Sequence, residues 1–206
     1  MLLYYISDRT QFPGTEDQRR EQLIARIAAA ARAGVDFIQV REKDLPSREL
    51  EELARVIVQR VREVGSAARV LINSRTDVAI AAGADGVHLR SNDVSPADVR
   101  RIWKTPGLPS TPVVAVSCHG EQEVRAAKMA GADFVVFGPV FGKSGTPGVG
   151  LPALRATSAH EIPVLALGGV NGENSRSWVE AGAAGVAGIR LFQEGDLNAT
   201  VNNLRR

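Results

Sequence analysis

Ala33-Gly34-Val35-Asp36, Ala82-Gly83-Ala84-Asp85, Ala130-Gly131-Ala132-Asp133 and Ala181-Gly182-Ala183-Ala184 are four copies of one phrase. They recur about every 50 residues, the upper end of the periods that mark modular architectures. Each copy closes a helix and opens a strand: the glycine suits the left-handed residue that ends a helix. The residues after it (Phe37 to Val40, Gly86 to Leu89, Phe134 to Phe137, Gly185 to Ile189) form a short, mostly apolar strand.

Between the copies lie four more apolar runs, Leu3 to Ile6, Val70 to Ile72, Val113 to Val116 and Pro163 to Leu167. Helical patterns separate the runs, with apolar residues three and four apart, as in Leu23, Ile24, Ile27, Ala28, Ala31 and in Leu50, Leu53, Ala54, Ile57, Val61. Continuous Val/Ile/Leu runs mark strands buried on both faces, so the sheet is expected to be parallel and covered by helices. Eight strand–helix units predict an α/β fold, the eight-stranded parallel β/α (TIM) barrel, as a single domain over residues 1–206. The alternative is a doubly wound open sheet, which calls for a dinucleotide fingerprint after the first strand; Ser7-Asp8-Arg9 is not one.

The charge balance narrows the function classes. The formal net charge is +2, with cations spread among acidic neighbours rather than gathered in a stripe, which argues against a nucleic-acid partner and suits a small anionic ligand. Cys118 is the single cysteine, so no intrachain disulfide forms and a reducing cytoplasm is the expected location. Met1 to Ile6 is too short and lacks the basic flank of an export signal, and no apolar stretch approaches the length of a membrane span.

In such barrels the chemistry sits on the loops that follow the strands. Gly168-Gly169-Val170 after strand seven and Gly188-Ile189-Arg190 after strand eight suit a phosphate held by backbone N–H groups, with Arg190 adding charge; glycines that merely end strands are the other reading. Gln39, Arg41 and Lys43 alternate along the end of strand two, face one side, and are positioned to grip an anion together, while Glu42 lies between them. Asn73 ends strand three. His119 follows strand five and is the candidate proton carrier; His88, among apolar neighbours, is either a packed histidine or its rival. Cys118 precedes His119 but projects to the opposite side, which places it behind the barrel wall. His160, in a helix-to-strand turn at the opposite end, is given no role. The glycine-rich stretch Phe141 to Gly150, with Lys143, Ser144 and Thr146, lacks P-loop spacing and reads as a mobile lid.

Several of these segments together resemble one family. Gln39-Val40-Arg41-Glu42-Lys43, Ile72-Asn73-Ser74-Arg75-Thr76-Asp77-Val78-Ala79, Ala84-Asp85-Gly86-Val87-His88-Leu89, Gly138-Pro139-Val140-Phe141 and Leu167-Gly168-Gly169-Val170 resemble the thiamine phosphate synthase and TenI superfamily, in order along nearly the whole chain. The resemblance implies a barrel that binds a thiazole phosphate. Within it, synthases join that phosphate to a pyrimidine pyrophosphate with Mg²⁺ and release pyrophosphate, whereas TenI-type proteins move a proton on the thiazole carboxylate phosphate and need no metal. A homodimer is compatible with the family, though no residue here argues for one.

This chain departs from the synthase pattern at three places. Ser74 stands where the synthases carry a metal-holding Asp; Arg90-Ser91-Asn92-Asp93 keeps a second metal ligand, Asp93, but not the Gly-Gln before it; Lys143-Ser144-Gly145-Thr146 alters a third motif. Loss of one carboxylate weakens a Mg²⁺ shell, which harms diphosphate departure more than proton transfer. The sequence therefore favours a thiazole tautomerase with His119 as base and acid, and Gly169, Gly188, Ile189 and Arg190 on the phosphate. A Mg²⁺-dependent synthase is the alternative, and a non-catalytic phosphate-binding regulator a further one.

Overall fold

The computed structural model describes residues 1–104, 111–142, 147–171 and 173–205. Eight strands, β1 (Leu2–Ile6), β2 (Phe37–Val40), β3 (Arg69–Asn73), β4 (Gly86–Leu89), β5 (Val113–Cys118), β6 (Phe134–Phe137), β7 (Val164–Leu167) and β8 (Gly185–Gly188), close into a barrel in chain order. All neighbours are parallel, and β8 pairs with β1 from Leu2↔Gly185 to Tyr5↔Gly188, so the open-sheet alternative is excluded. Helices α1 (Glu16–Ala33), α2 (Ser47–Glu63), α3 (Thr76–Ala82), α4 (Pro96–Trp103), α5 (Glu121–Met129), α6 (Gly150–Ser158), α7 (Ser175–Glu180), α8 (Arg190–Gln193) and α9 (Leu197–Arg205) connect and cover them. No helix among the described residues is long and apolar enough to cross a membrane.

Alternation along the strands sorts side chains into two cores. Outward residues such as Leu3, Ile38, Ile72, Val114 and Cys118 pack against the apolar stripes of the helices, including Leu50, Leu53, Ile57 and Val61 of α2. Inward residues, among them Tyr4, Leu71, Ala115, Val136 and Leu165, fill the barrel. Its lower layer is aromatic, with Phe37 and Phe134 at 4.7 Å between ring centroids and Tyr4 edge-on to both. Truncating Phe134 to Ala would cost about 3–5 kcal/mol, the usual figure for a buried ring.

The fourfold phrase has a structural meaning beyond its glycine. All four glycines are left-handed, at φ of 96°, 67°, 85° and 91° for Gly34, Gly83, Gly131 and Gly182. Two residues on, the Asp36, Asp85 and Asp133 carboxylates accept the backbone N–H of Leu3, Val70 and Val114 at 2.7–2.8 Å. Strands β1, β3 and β5 thus each have an otherwise dangling amide satisfied by the aspartate that opens the next strand, a polar group that would be costly unpaired. The fourth copy has Ala184 there: its N–H reaches the Val164 carbonyl, as the aspartates' do, but it brings no side-chain oxygen to the Val164 N–H. Strand eight ends at Gly188, one residue before the expected Ile189, because Ile189 turns to helical angles (φ −90°, ψ −75°) and caps α8.

Candidate active site

The loop after β2 is built on a buried polar anchor. Glu42, 3% exposed, turns away from Arg41 and Lys43: it accepts the Ser7 hydroxyl at 2.5 Å and the backbone N–H and guanidinium of Arg9 at 3.0 and 3.1 Å. Arg9 also forks onto Asp44 with two bonds of 2.7 Å, and its carboxylate partners, Asp44 first, outweigh burial and hold its pKa above the usual value. Breaking one member of such a buried pair is far more costly than the pair is worth, so this web fixes the loop rather than adding much net stability. Its consequence is positional. Ser7 Oγ accepts the Arg41 N–H at 2.9 Å, and Arg41 and Lys43 are left pointing into the mouth of the barrel.

There, Gln39, Arg41, Lys43, Asn73 and His119 line one hollow of ≈ 350 Å³, together with Arg90 and, on its apolar side, Ile6, Val136 and Leu167. Gln39, Arg41 and Lys43, expected from the sequence to face one side, are thus neighbours, with the further candidates Asn73 and His119 beside them. A second hollow of ≈ 340 Å³ adjoins it, lined by Ser74, Arg75 and Glu42 and sharing Lys43, Asn73 and Arg90 with the first. Larger hollows beside α2 and α5 lie on the outer face of the helices, at their C-terminal ends and away from the mouth. Gly169, Gly188, Ile189 and Arg190 sit on the same rim, at the ends of β7 and β8, but do not line the two hollows. The expected lid residues Lys143, Ser144 and Thr146 lie outside the described residues.

The floor of the first hollow is a directed chain of hydrogen bonds. Gln39 Nε2 donates to the Tyr4 hydroxyl at 3.1 Å, and that hydroxyl lies 2.9 Å from His88 Nδ1. Burial raises the Tyr4 pKa well above its ordinary value, so the phenol keeps its proton and donates it to Nδ1. Burial, and then the Arg41 charge, lower the His88 pKa to about 3, so the ring is neutral and its proton is on Nε2. Nε2 donates to Ser117 Oγ at 2.7 Å, which leaves the Ser117 proton to point into the hollow. His88 is thus a buried, packed histidine that also lines the hollow. Ser117 and Tyr4 are not among the residues expected from the sequence. Strand alternation was the available signal for Ser117, since it sends Cys118 outward, where the thiol is buried and its pKa pushed up to about 12.

His119 is held differently. Its Nδ1 faces the Gly138 carbonyl oxygen, an acceptor only, so Nδ1 carries a proton, and it is Nε2 that presents a lone pair when the ring is neutral. Gly138 connects this side of the rim to the glycines after β7. Gly168 and Gly169 are left-handed at φ of 92° and 65°, and a Cβ on either would fall 2.6–2.7 Å from Pro139 or Phe141, so only glycine fits both the turn and the close approach. Asn174 Nδ2 donates to the Gly169 carbonyl at 2.8 Å, fixing its orientation. At the β8 end, Gln193 ties α8 to the first loop through Asp8 and the Tyr5 hydroxyl, and Arg26 of α1 holds the carbonyls of Phe192 and Glu194. His160 meets Glu121 on the outside of the barrel.

A resident magnesium ion needs several oxygen ligands. Asp93 is already engaged: Oδ2 accepts the Arg90 N–H at 2.8 Å and Oδ1 accepts Nε and Nη2 at 3.1 and 2.9 Å. Glu42 is committed to Ser7 and Arg9, and no group of three His, Cys, Asp or Glu side chains among the described residues is placed to hold an ion. The residues present do not fit a resident Mg²⁺ at Asp93.

Comparison with known proteins assigns the chain, over nearly its whole length, to a family. The thiamine monophosphate synthase family model matches residues 3–192. The chain is 40% identical over 209 residues to a thiamine-phosphate synthase of Methanoculleus marisnigri, covering 98% of this chain and 93% of that protein. It is 37% identical over 186 residues to the enzyme of that name from Moorella thermoacetica, covering 87% and 85%. Among solved structures, thiamine phosphate pyrophosphorylase from Pyrococcus furiosus has a TM-score of 0.80 at 30% identity, covering 99% of this chain and 93% of that chain.

Proposed function

The chain belongs to the thiamine monophosphate synthase family, and from that premise we propose that it is itself a thiamine-phosphate synthase, joining a thiazole phosphate to a hydroxymethylpyrimidine diphosphate with release of pyrophosphate. This replaces the tautomerase expected from Ser74: the relatives named above are synthases, and the mouth offers a ring-bearing diphosphate two adjoining hollows beside the glycine-rich ends of β7 and β8. The observation that carries the reading is the pair of adjoining hollows. One has a polar floor and apolar sides, suited to a flat heteroaromatic ring; the other is cationic, suited to the diphosphate attached to it; Lys43, Asn73 and Arg90 stand between them.

The reaction forms a bond from the thiazole ring to the carbon that bore the diphosphate, while the carbon–oxygen bond breaks and its electron pair leaves on the diphosphate. Charge builds on the leaving oxygens, and preorganised cations at that point accelerate departure. Arg41 and Lys43, aimed by the Ser7–Glu42–Arg9 anchor, serve there, with Asn73 as a neutral donor. The Ser117 hydroxyl donates to a ring nitrogen of the pyrimidine and Gln39 sets its angle. Backbone amides at Gly169 and at Gly188–Ile189, with Arg190, hold the thiazole phosphate at the other side of the rim. The test is formation of thiamine phosphate from the two purified substrates with stoichiometric pyrophosphate; no product from either order of addition would end this reading.

The His119 lone pair supports a second reading, proton transfer on a thiazole carboxylate phosphate. Conversion of that tautomer by the native chain, abolished in His119→Gln with phosphate affinity retained, would establish it.

A further inference from the structure

We propose that this chain seats the diphosphate on side-chain cations alone, with the Arg90 guanidinium standing where a divalent ion would otherwise bridge protein and ligand. The inference rests on the synthase reading and specifies how the leaving group is held. Both hollows share Arg90 and Lys43, and Arg41 faces the first. Neither Arg41 nor Lys43 has a carboxylate partner among the described ion pairs, so three cations face the first hollow, whose lining holds no carboxylate; Glu42, on the second, is taken up by Ser7 and Arg9, and Asp93 by Arg90.

That carboxylate is covered by its partner. The Asp93 side chain is 10% exposed and that of Arg90 63%, so an incoming ligand meets the guanidinium first. The turn that follows β4 makes the arrangement rigid: Asp93 caps the Arg90 backbone N–H and grips Nε and Nη2, which leaves Nη1 and the outer face of the group for a ligand. A divalent ion at Asp93 would have to displace these bonds and then sit beside three positive charges, each repelling it. A diphosphate meets the opposite field. The Lys43 pKa is lowered, first by Arg41, then by burial and by Arg90, which is the mark of a cluster short of anions.

The experiment is calorimetric titration of the full chain with inorganic pyrophosphate, in EDTA and in excess Mg²⁺. The expected result is binding in EDTA with a Kd within about threefold of that in Mg²⁺, and a loss of about tenfold or more in EDTA for Arg90→Ala, the worth of one charged hydrogen bond. Asp93→Asn, which keeps the turn but removes the negative charge, should tighten binding in EDTA. Native binding that appears only with Mg²⁺, an Arg90→Ala variant that binds normally in EDTA, or an Asp93→Asn variant that loses a Mg²⁺-dependent component would each overturn the proposal. So would the absence of pyrophosphate binding under both conditions. Failure of the parent reading is distinct: it is the absence of thiamine phosphate from both substrates, with and without metal, whatever pyrophosphate does.

Discussion

The two ends of the barrel use charge in opposite ways. At the foot, where strands begin, Asp36, Asp85 and Asp133 each satisfy a backbone amide, and Asp36 and Asp133 are also paired, with Arg205 and Arg100. At the mouth, Arg41 and Lys43 face a hollow with no carboxylate of their own. Charge at the foot is spent on folding; charge at the mouth is left unneutralised, a local cost that a bound anion removes. Stability and function therefore separate along the barrel axis, and substitutions should sort accordingly.

The largest effect is expected at the mouth. Lys43→Ala should lower kcat/KM for the coupling reaction by about 10²–10³-fold, the scale for a donor that meets developing charge. Its unfolding midpoint should not fall, because a repelled cation has been removed; a clear drop in Tm would break the contrast. His88 lies between the two ends and obeys the logic of the foot. Its pKa is about 3 folded, against 6.5 unperturbed, so the folded state favours the neutral ring. The associated stability is complete above pH 6.5 and is lost as pH falls from 6.5 toward 3, amounting to about 2 kcal/mol by pH 5. Thermal melts at pH 7.5 and 5.0 measure it, and His88→Gln should flatten that part of the slope.

A smaller effect belongs to the foot. Asp85→Ala strands the buried Val70 amide and should cost about 1–3 kcal/mol, a few degrees in Tm for a chain of this size, with kcat/KM per folded molecule unchanged. The smallest should be a gain. Ala184→Asp restores the missing fourth carboxylate and is expected to add about 0.5–1 kcal/mol through one hydrogen bond to Val164, read as a rise in Tm of about 1–4 °C. No rise would show that the aspartates matter for something other than the amide they bond.

The barrel itself was legible in the chain because a buried parallel strand leaves a continuous apolar run and each quarter repeats one phrase. The role of the repeated aspartate was not, since an acidic residue before a strand looks like any turn residue until the amide it bonds is known, and that amide lies 15 to 33 residues earlier in the chain. At the mouth, alternation put Gln39, Arg41 and Lys43 on one side, and the three line one hollow. The Tyr4–His88–Ser117 chain escaped notice because it crosses β1, β4 and β5, and which residues meet inside a barrel depends on strand register. Asp93 looked like a metal ligand on motif position alone; only its geometry reveals that Arg90, three residues away, has already claimed it.

One feature of the foot reaches the mouth. The quarter without its carboxylate is the one formed by β7 and β8, the strands whose far ends carry Gly169 and Gly188. This seam should open locally more readily than the other three, so the Val164 amide should exchange its hydrogen with solvent fastest among the equivalent positions Leu3, Val70 and Val114. A phosphate clasped between the two loops would act as a removable rivet on the same seam, and slowed exchange at Val164 on adding substrate would report occupancy from the opposite end of the molecule.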